Sequence, residues 1–374
     1  MASIYIHIPF CKKACHYCDF HFSTTLKSKD SMIQSICDEI ILRSSEFNET
    51  INSIYFGGGT PSILDNSNIS SIINTIYDSF NISMNAEITI ECNPDDINNE
   101  KIKFWKKNKI NRVSLGIQSF NDSDLKLMNR SHSSDQAFFS LDLIKQNFQN
   151  YSIDLIYGIP HSSFFQWKKN LEVLTKNNVP HISTYALTVE PKTALKKLIY
   201  NKKIDEVSES NQRTQYDYAF KTLSKLGYVN YEFSSYSKPG NECQNNLGYW
   251  DRKKYLGFGP SAHSFDGKTR KWNISNNHLY QEGIKSRSLP QTSEYLDDKD
   301  IYNEIMMIGL RRSTGINIDK LKDMFHERYI NHFLKEISPK IKKGILVKRL
   351  NTLHASDDYK FMTDGIASDL FITD

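Results

Sequence analysis

The sequence has no apolar run long enough to cross a bilayer, which excludes a membrane-spanning helix on hydropathy. Its opening, Met1-Ala2-Ser3-Ile4-Tyr5-Ile6-His7-Ile8-Pro9-Phe10, lacks the basic segment and small-residue cleavage site of a signal peptide. Polar and apolar residues alternate there until a proline, which is a strand pattern. These absences imply a cytoplasmic chain. Charge of one sign is scarce as well: the formal net charge is +4 over 374 residues, and nothing electrostatic calls for nucleic acid. There are no internal repeats, and the only compositional bias, toward Asn, Lys and Ile, reads as AT-richness. Cysteines are few, at positions 11, 15, 18, 37, 92 and 243. Three of them fall within eight residues of a chain without an export signal, so metal binding is favoured over disulfides. Cys37 and Cys92 sit in apolar surroundings and read as core.

What is present is ordinary for a soluble globular protein, with 39% hydrophobic and 24% charged residues. The length allows one large domain and a smaller one. Short runs rich in Ile, Val, Tyr and Leu predict strands at Ile4–Ile8, Ser53–Phe56, Glu87–Glu91, Arg112–Ile117, Ser152–Tyr157 and His181–Leu187. Between them, Ser31–Phe47 carries Ile33, Ile36, Cys37, Ile40 and Ile41 at helical spacing. Asn66–Phe80 does the same with Ile69, Ile72, Ile73 and Ile76. This alternation predicts an α/β fold with a parallel sheet, an open or partial barrel of six β/α units. The chemistry of such sheets gathers at the carboxyl ends of the strands. There the sequence places the clustered cysteines, Gly57–Pro61, Glu91-Cys92-Asn93-Pro94 and Gln118-Ser119-Phe120.

Past about residue 200 the pattern changes. A helix is expected at Ser208–Leu226, then a Gly-, aromatic- and Asn-rich stretch from Tyr228 to Trp272. Helices follow at Glu294–Leu310, Asn317–Met324 and His326–Ile337, with strand-like pieces at Ile345–Arg349 and Tyr359–Met362. The expected division is a core barrel over 1–200, a connecting region over 201–290 that packs on it, and a C-terminal domain over 291–374. That last domain is mainly helical, with a winged helix as one form it can take.

The spacing C-x3-C-x2-C at Cys11, Cys15 and Cys18 is the most specific signal. Three thiolates on one loop can hold three irons of a [4Fe–4S] cubane and leave the fourth without a protein ligand. An open iron can bind the amino and carboxylate groups of S-adenosylmethionine (SAM), whose sulfonium bond an electron from the cluster can cleave to a 5′-deoxyadenosyl radical. A structural zinc site completed by His16 or His21 is the alternative, although zinc normally takes four closed ligands at more symmetric spacing.

With these residues the sequence resembles radical SAM proteins over nearly its whole length. Gly57-Gly58-Gly59-Thr60-Pro61 looks like the family's glycine-rich segment, whose backbone approaches the methionyl part of SAM. The resemblance narrows to the subgroup around oxygen-independent coproporphyrinogen III oxidase, HemN, and its heme-chaperone relatives of HemW type. It implies a radical SAM barrel and SAM contacts from Tyr5, Gly58, Gly59, Thr60, Glu91, Gln118, Arg130 and Asp154. Carboxylates, an amide and an arginine suit a zwitterionic, polyhydroxylated ligand.

Within the subgroup the chain resembles the HemW type more than the oxidase. The oxidase motif has a fourth cysteine two residues after the third, where Phe20 stands here, and an N-terminal extension for which ten residues before Cys11 leave no room. The stretch Asn245-Asn246-Leu247-Gly248-Tyr249-Trp250 looks like the HemW signature linked with heme, which reads His-Asn-x-x-Tyr-Trp. Asn245 replaces the histidine, and asparagine is a poor ligand for heme iron. Asn246, Tyr249 and Trp250 can line a planar apolar pocket, or simply pack internally. His263 and Cys243 are further iron-ligand candidates. Arg252-Lys253-Lys254 can face heme propionates or be a solvated face.

The resemblance therefore implies a protein that carries a [4Fe–4S] cluster and SAM, binds heme and passes it to an acceptor protein, with no catalytic residue assigned. Whether it is an enzyme stays open. The alternative is SAM-dependent oxidative decarboxylation of coproporphyrinogen III to protoporphyrinogen IX. Radical modification of another small molecule or of tRNA is a third reading, and the modest charge argues against tRNA.

Overall fold

The structure is a computed structural model describing residues 2–373. It resolves into two compact units. One runs through Glu209 and resumes over Cys243–Glu294; the other is Ser210–Glu242 with the chain from Tyr295 onward. Residues 210–242, which lie in the connecting stretch by sequence, thus group with the C-terminal part.

The first unit is built on six parallel strands, β1 (Ala2–Ile8), β2 (Ile51–Gly58), β3 (Ile82–Cys92), β4 (Arg112–Gln118), β5 (Asn150–Tyr157) and β6 (His181–Ala186), hydrogen-bonded in chain order. They coincide with the six expected strands. β1 shows the reason: Ile4, Ile6 and Ile8 on one face are fully buried, and the other face is mostly covered too, as strands with both faces packed require. Helices Lys29–Leu42 and Asn66–Ser79 bury Ile33, Ile36 and Ile40, and Ile69, Ile72, Ile73 and Ile76, along one face each. The first helix ends at Leu42 rather than Phe47, since a separate 3-10 turn occupies Ser44–Glu46.

The sheet does not stop at β1. Tyr255–Phe258 adds in parallel to its free edge and is followed by antiparallel strands His263–Phe265 and Thr269–Asn273. Periodicity does not mark these strands because each is three to five residues long and one contains glycine.

A buried ion pair ties this extension to the first helix. Glu39 and Arg43 are both fully buried, 2.8 Å apart. Glu39 also accepts from Asn273 Nδ2 and Gly259 N, each at 2.8 Å, and from Tyr280 Oη at 2.5 Å. Arg43 donates to Gly257 O at 2.8 Å and Ser264 Oγ at 3.0 Å. Arg43 also pairs with Glu46 at 2.9 Å, so Glu39→Ala leaves that guanidinium one carboxylate but removes the buried acceptor of Asn273, Gly259 and Tyr280, and should cost about 3 kcal/mol. Denaturant titration of the variant against wild type measures it.

In the second unit, helix Asp298–Arg311, the short strand Ile316–Asn317, helices Ile318–Met324 and Glu327–Lys342, and the hairpin Leu346–Arg349/Thr352–Ala355 follow one another in winged-helix order. Tyr302, Met306, Leu310, Leu321, Phe333 and Leu353 form its core. Three boundaries differ from the expectation. The first helix begins at Asp298, not Glu294, because Asp297 caps it by accepting from Asp300 N at 2.9 Å. The third runs through Pro339 to Lys342, past the expected stop at Ile337. Residues Asp357–Met362 form a 3-10 turn rather than a strand, and the partner strand is Thr352–Ala355. No helix among the described residues is long and apolar enough to cross a membrane.

Candidate functional site

The loop after β1 carries Cys11, Cys15 and Cys18, all free and partly buried. Backbone bonds hold its start in place: Cys11 N donates to Ser23 O at 3.0 Å, and Ser23 N to Pro9 O at 2.9 Å. Its middle is pinned by the segment after β4. His16 N reaches Met128 O at 3.0 Å, His16 Nδ1 donates to Leu127 O at 2.7 Å, and Asn129 Nδ2 donates to Ala14 O at 2.7 Å. Lys12 bridges to Asp95, at 2.9 Å, and to Asp96 in the turn after β3.

The glycine segment after β2 lies against the same loop. Gly59 N donates to Ile8 O at 2.8 Å and Thr60 N to Phe10 O at 2.7 Å. Two glycines are required here. Gly58 adopts φ +103°, and a Cβ on it would lie 2.7 Å from the His7 ring. A Cβ on Gly59 would lie 2.5 Å from Phe10 O and 2.8 Å from Ile8 O. Thr60 Oγ1 meets Cys11 Sγ at 3.5 Å.

Arg130 gathers the rest. Its Nη2 donates to Asn93 Oδ1 at 2.7 Å and Gly116 O at 2.8 Å, and its Nη1 approaches Cys15 Sγ and Tyr17 Oη, each at 3.4 Å. Burial, partly offset at Cys11 by the Thr60 hydroxyl, pushes the Cys11 and Cys18 thiols up to about 11 and about 12. Metal binding at these sulfurs must therefore displace protons.

Below the loop, Tyr5 and Tyr55 stand opposite each other on β1 and β2, rings stacked at 6.2 Å. Tyr55 Oη donates to Glu91 Oε1 at 2.8 Å. Burial deep in the barrel, with the charge of Asp154 adding to it, lifts the Glu91 carboxyl to about 7. Asp154 accepts from Ser114 at 3.1 Å and is itself raised by burial. Gln118, at an irregularity where β4 pairs β5, adopts φ +67°, a conformation costing a non-glycine residue about 1–2 kcal/mol. Its Oε1, together with Asp154 Oδ1, is buried with no hydrogen-bond partner among the described residues.

Seven of the eight residues expected to contact SAM thus lie on or just after the first five strands, and Arg130 follows the short helix Asp122–Leu127 after β4. Reasoning from sequence missed four neighbours: His7, Tyr17, Tyr55 and Asn93. Tyr55 had a signal, because it occupies on β2 the register position of Tyr5 on β1. His7, whose Nε2 donates to His21 O at 2.9 Å, is lowered to about 4 chiefly by burial and stays neutral.

The residues set aside for heme divide. Helix Gln244–Trp250 sits beside β1 and β2. Its Tyr249 packs edge-on against Tyr255 with ring centroids 4.6 Å apart, and it lies close enough to Tyr5 to raise that phenol, after burial and Glu91. Asn246 and Trp250 are half-buried, and Asn245 is buried with its Oδ1 unpartnered among the described residues. His263 is exposed and stacks on Trp272 at 5.9 Å. Cys243 is buried, its thiol 3.6 Å from Glu87 Oε1, so it is a core residue like Cys37 and Cys92. Lys253 pairs with Asp251 and Lys254 with Glu49.

The residues fit a cluster with SAM better than zinc. A closed zinc site takes four protein ligands around one ion. Among the described residues, no three Cys, His, Asp or Glu side chains converge where one metal ion would sit. The two buried acceptors without partners, on Gln118 and Asp154, sit in a barrel whose polar side chains call for a polar ligand.

This fold is that of a radical SAM protein, and residues 5–174 match the radical SAM superfamily profile. Membership of that superfamily implies a [4Fe–4S] cluster and SAM. The chain is 31% identical over 357 residues to heme chaperone HemW of Lactococcus lactis, covering 95% of this chain and 93% of that protein. It is 39% identical over 351 residues to heme chaperone HemW of the Buchnera aphidicola of Schizaphis graminum, covering 89% and 92%. The chain belongs to the HemW family. Its fold is that of coproporphyrinogen III oxidase HemN from Escherichia coli, with a TM-score of 0.85 at 21% identity over 99% of this chain and 89% of that one.

Proposed function

We propose that this chain is a cytoplasmic heme-binding protein that holds a [4Fe–4S] cluster on Cys11, Cys15 and Cys18, holds SAM beside it, and delivers heme to an acceptor protein. The observation that carries the reading is the Cys11–Cys18 loop, fastened by Thr60, Asn129 and Arg130 directly above a ring of polar side chains. A cluster there supplies an electron and one open iron site. Glu91 accepts from the amino group of SAM, Asp154 and Gln118 face its hydroxyls, and the Gly58–Gly59 backbone faces its methionyl portion. Arg130 steadies the loop from the side. Heme binding rests on the relatives' names and on Tyr249, Trp250 and Asn246 bordering β1 and β2.

Titrating anaerobically reconstituted protein with heme tests the reading. A Soret shift saturating near one equivalent is expected; an unshifted spectrum overturns heme binding. Incubation with coproporphyrinogen III, SAM and reductant should give no protoporphyrinogen above background, and its formation would replace the chaperone reading with the oxidase.

The Glu91 carboxyl gives a pH prediction. With its pKa near 7, Glu91 is protonated in acid and no longer offers a carboxylate to the SAM amino group. SAM affinity should then fall by up to about tenfold per pH unit as the pH drops below 7. In Glu91→Gln that slope should vanish. Equilibrium binding of SAM between about pH 5.5 and 8.5 measures both.

A further inference from the structure

The second unit contains a cavity of about 100 Å³ that the proposed function does not use. Helix Glu209–Lys225 contributes Tyr216 to its wall, and Phe233 stacks on that ring at 5.1 Å. Arg311, Arg312, Arg349 and Lys360 line it, with Asp357 the one carboxylate in the lining.

These cations are unequally answered. Arg311 forms a two-pronged pair with Asp364, Nε to Oδ1 at 2.6 Å, and buried Glu232 adds a second negative charge near it. Lys360 faces Asp357 at 3.5 Å. Arg349, at the end of Leu346–Arg349, has no carboxylate within ion-pair distance among the described residues. The His354 imidazole, also in the lining, is lowered by burial and then by the charges of Arg349 and Lys360, so their positive field reaches into the cavity.

A second observation is independent of charge. Thr363 lines the cavity and is 2% exposed, yet its hydroxyl has no hydrogen-bond partner among the described residues. A buried hydroxyl left unmatched is a net cost to the fold. A ligand oxygen accepting from Thr363 and facing Arg349 and Lys360 would remove that cost.

We propose that this cavity is a binding site for a small oxyanion, a phosphate or carboxylate group, held by Arg349 and Lys360 and oriented by Thr363. Guanidinium and ammonium groups with a hydroxyl suit such a group, and the stacked Tyr216–Phe233 wall leaves room for a flat or apolar body attached to it.

The test uses the full-length protein, with inorganic phosphate and succinate as separate probes, followed by ³¹P and ¹³C line broadening and by calorimetry. Saturable binding of at least one probe is expected. Arg349→Ala should weaken it at least tenfold with an unchanged ligand-free thermal midpoint, and the isosteric Thr363→Val about threefold or more with a ligand-free midpoint that is not lowered. Arg349 is exposed, so its variant keeps the fold if Thr363→Val does not. Phosphate binding alone identifies a phosphoryl ligand, and succinate binding alone a carboxylate. Failure of both probes to bind wild type overturns the proposal, as does binding that Arg349→Ala leaves unchanged. Cluster assembly and heme titration should be the same in both variants, so this site and the barrel site succeed or fail separately.

Discussion

Changing any one of Cys11, Cys15 or Cys18 to alanine should reduce reconstituted iron and acid-labile sulfide from about four of each per chain to near zero. The expectation follows from ligand count. A cubane corner that loses its thiolate has no substitute thiol in the loop, because the other three cysteines are buried elsewhere. The matched controls are Cys37→Ala, Cys92→Ala and Cys243→Ala, which remove thiols from the core and should retain the full complement. Loss in all six variants would indicate general fragility. Loss in the loop variants alone assigns the metal to the loop.

The second large effect concerns the glycine segment. Gly59→Ala puts a Cβ within 2.5 Å of Phe10 O and 2.8 Å of Ile8 O, which are main-chain atoms with no rotamer to swing aside. Either the glycine segment or the start of the cysteine loop must move. A displacement on this scale in a positioned site costs about a hundredfold in function, so SAM affinity should fall by that order. Gly58→Ala should do comparable harm by another route: its φ of +103° alone costs an alanine about 1–2 kcal/mol, and the methyl group then meets the His7 ring. Gly267 is the control, with φ +110° and no neighbouring atom within 4 Å of the place a methyl carbon would take. Gly267→Ala should lose some stability and no SAM affinity. Equilibrium binding with the three variants at fixed cluster content separates the effects.

Much of the barrel was legible because its strands are buried on both faces and so read as short, saturated apolar runs separated by amphipathic helices. The cysteine loop was evident from its spacing, and Gly58, Gly59, Glu91 and Gln118 from recurrence at successive strand ends. Three things were not legible. Tyr255–Phe258 adds to β1 through main-chain hydrogen bonds that leave little side-chain pattern over four residues. The helix Glu327–Lys342 continues past Pro339, where a sequence reading stops. The clamp of Arg130 on Cys15, Tyr17, Asn93 and Gly116 joins residues far apart in the chain, and no local spacing encodes that convergence.

The heme residues show the limit of a signature read alone. Asn245 occupies the place where a histidine is expected, and the structure buries it, while Tyr249 of the same helix lies near Tyr5. Tyr249 therefore borders the proposed SAM site as much as any heme. Tyr249→Phe, tested in parallel for SAM and heme binding, divides the two roles.

Everything proposed for the barrel depends on three sulfurs holding an iron–sulfur cube with one corner left for an exchangeable ligand. Mössbauer spectra of the ⁵⁷Fe-reconstituted protein, recorded with and without SAM, address that directly. One iron in four should change its isomer shift when SAM is added, while the other three stay put. Four irons that ignore SAM, or a fourth already closed by a side chain in its absence, would contradict it.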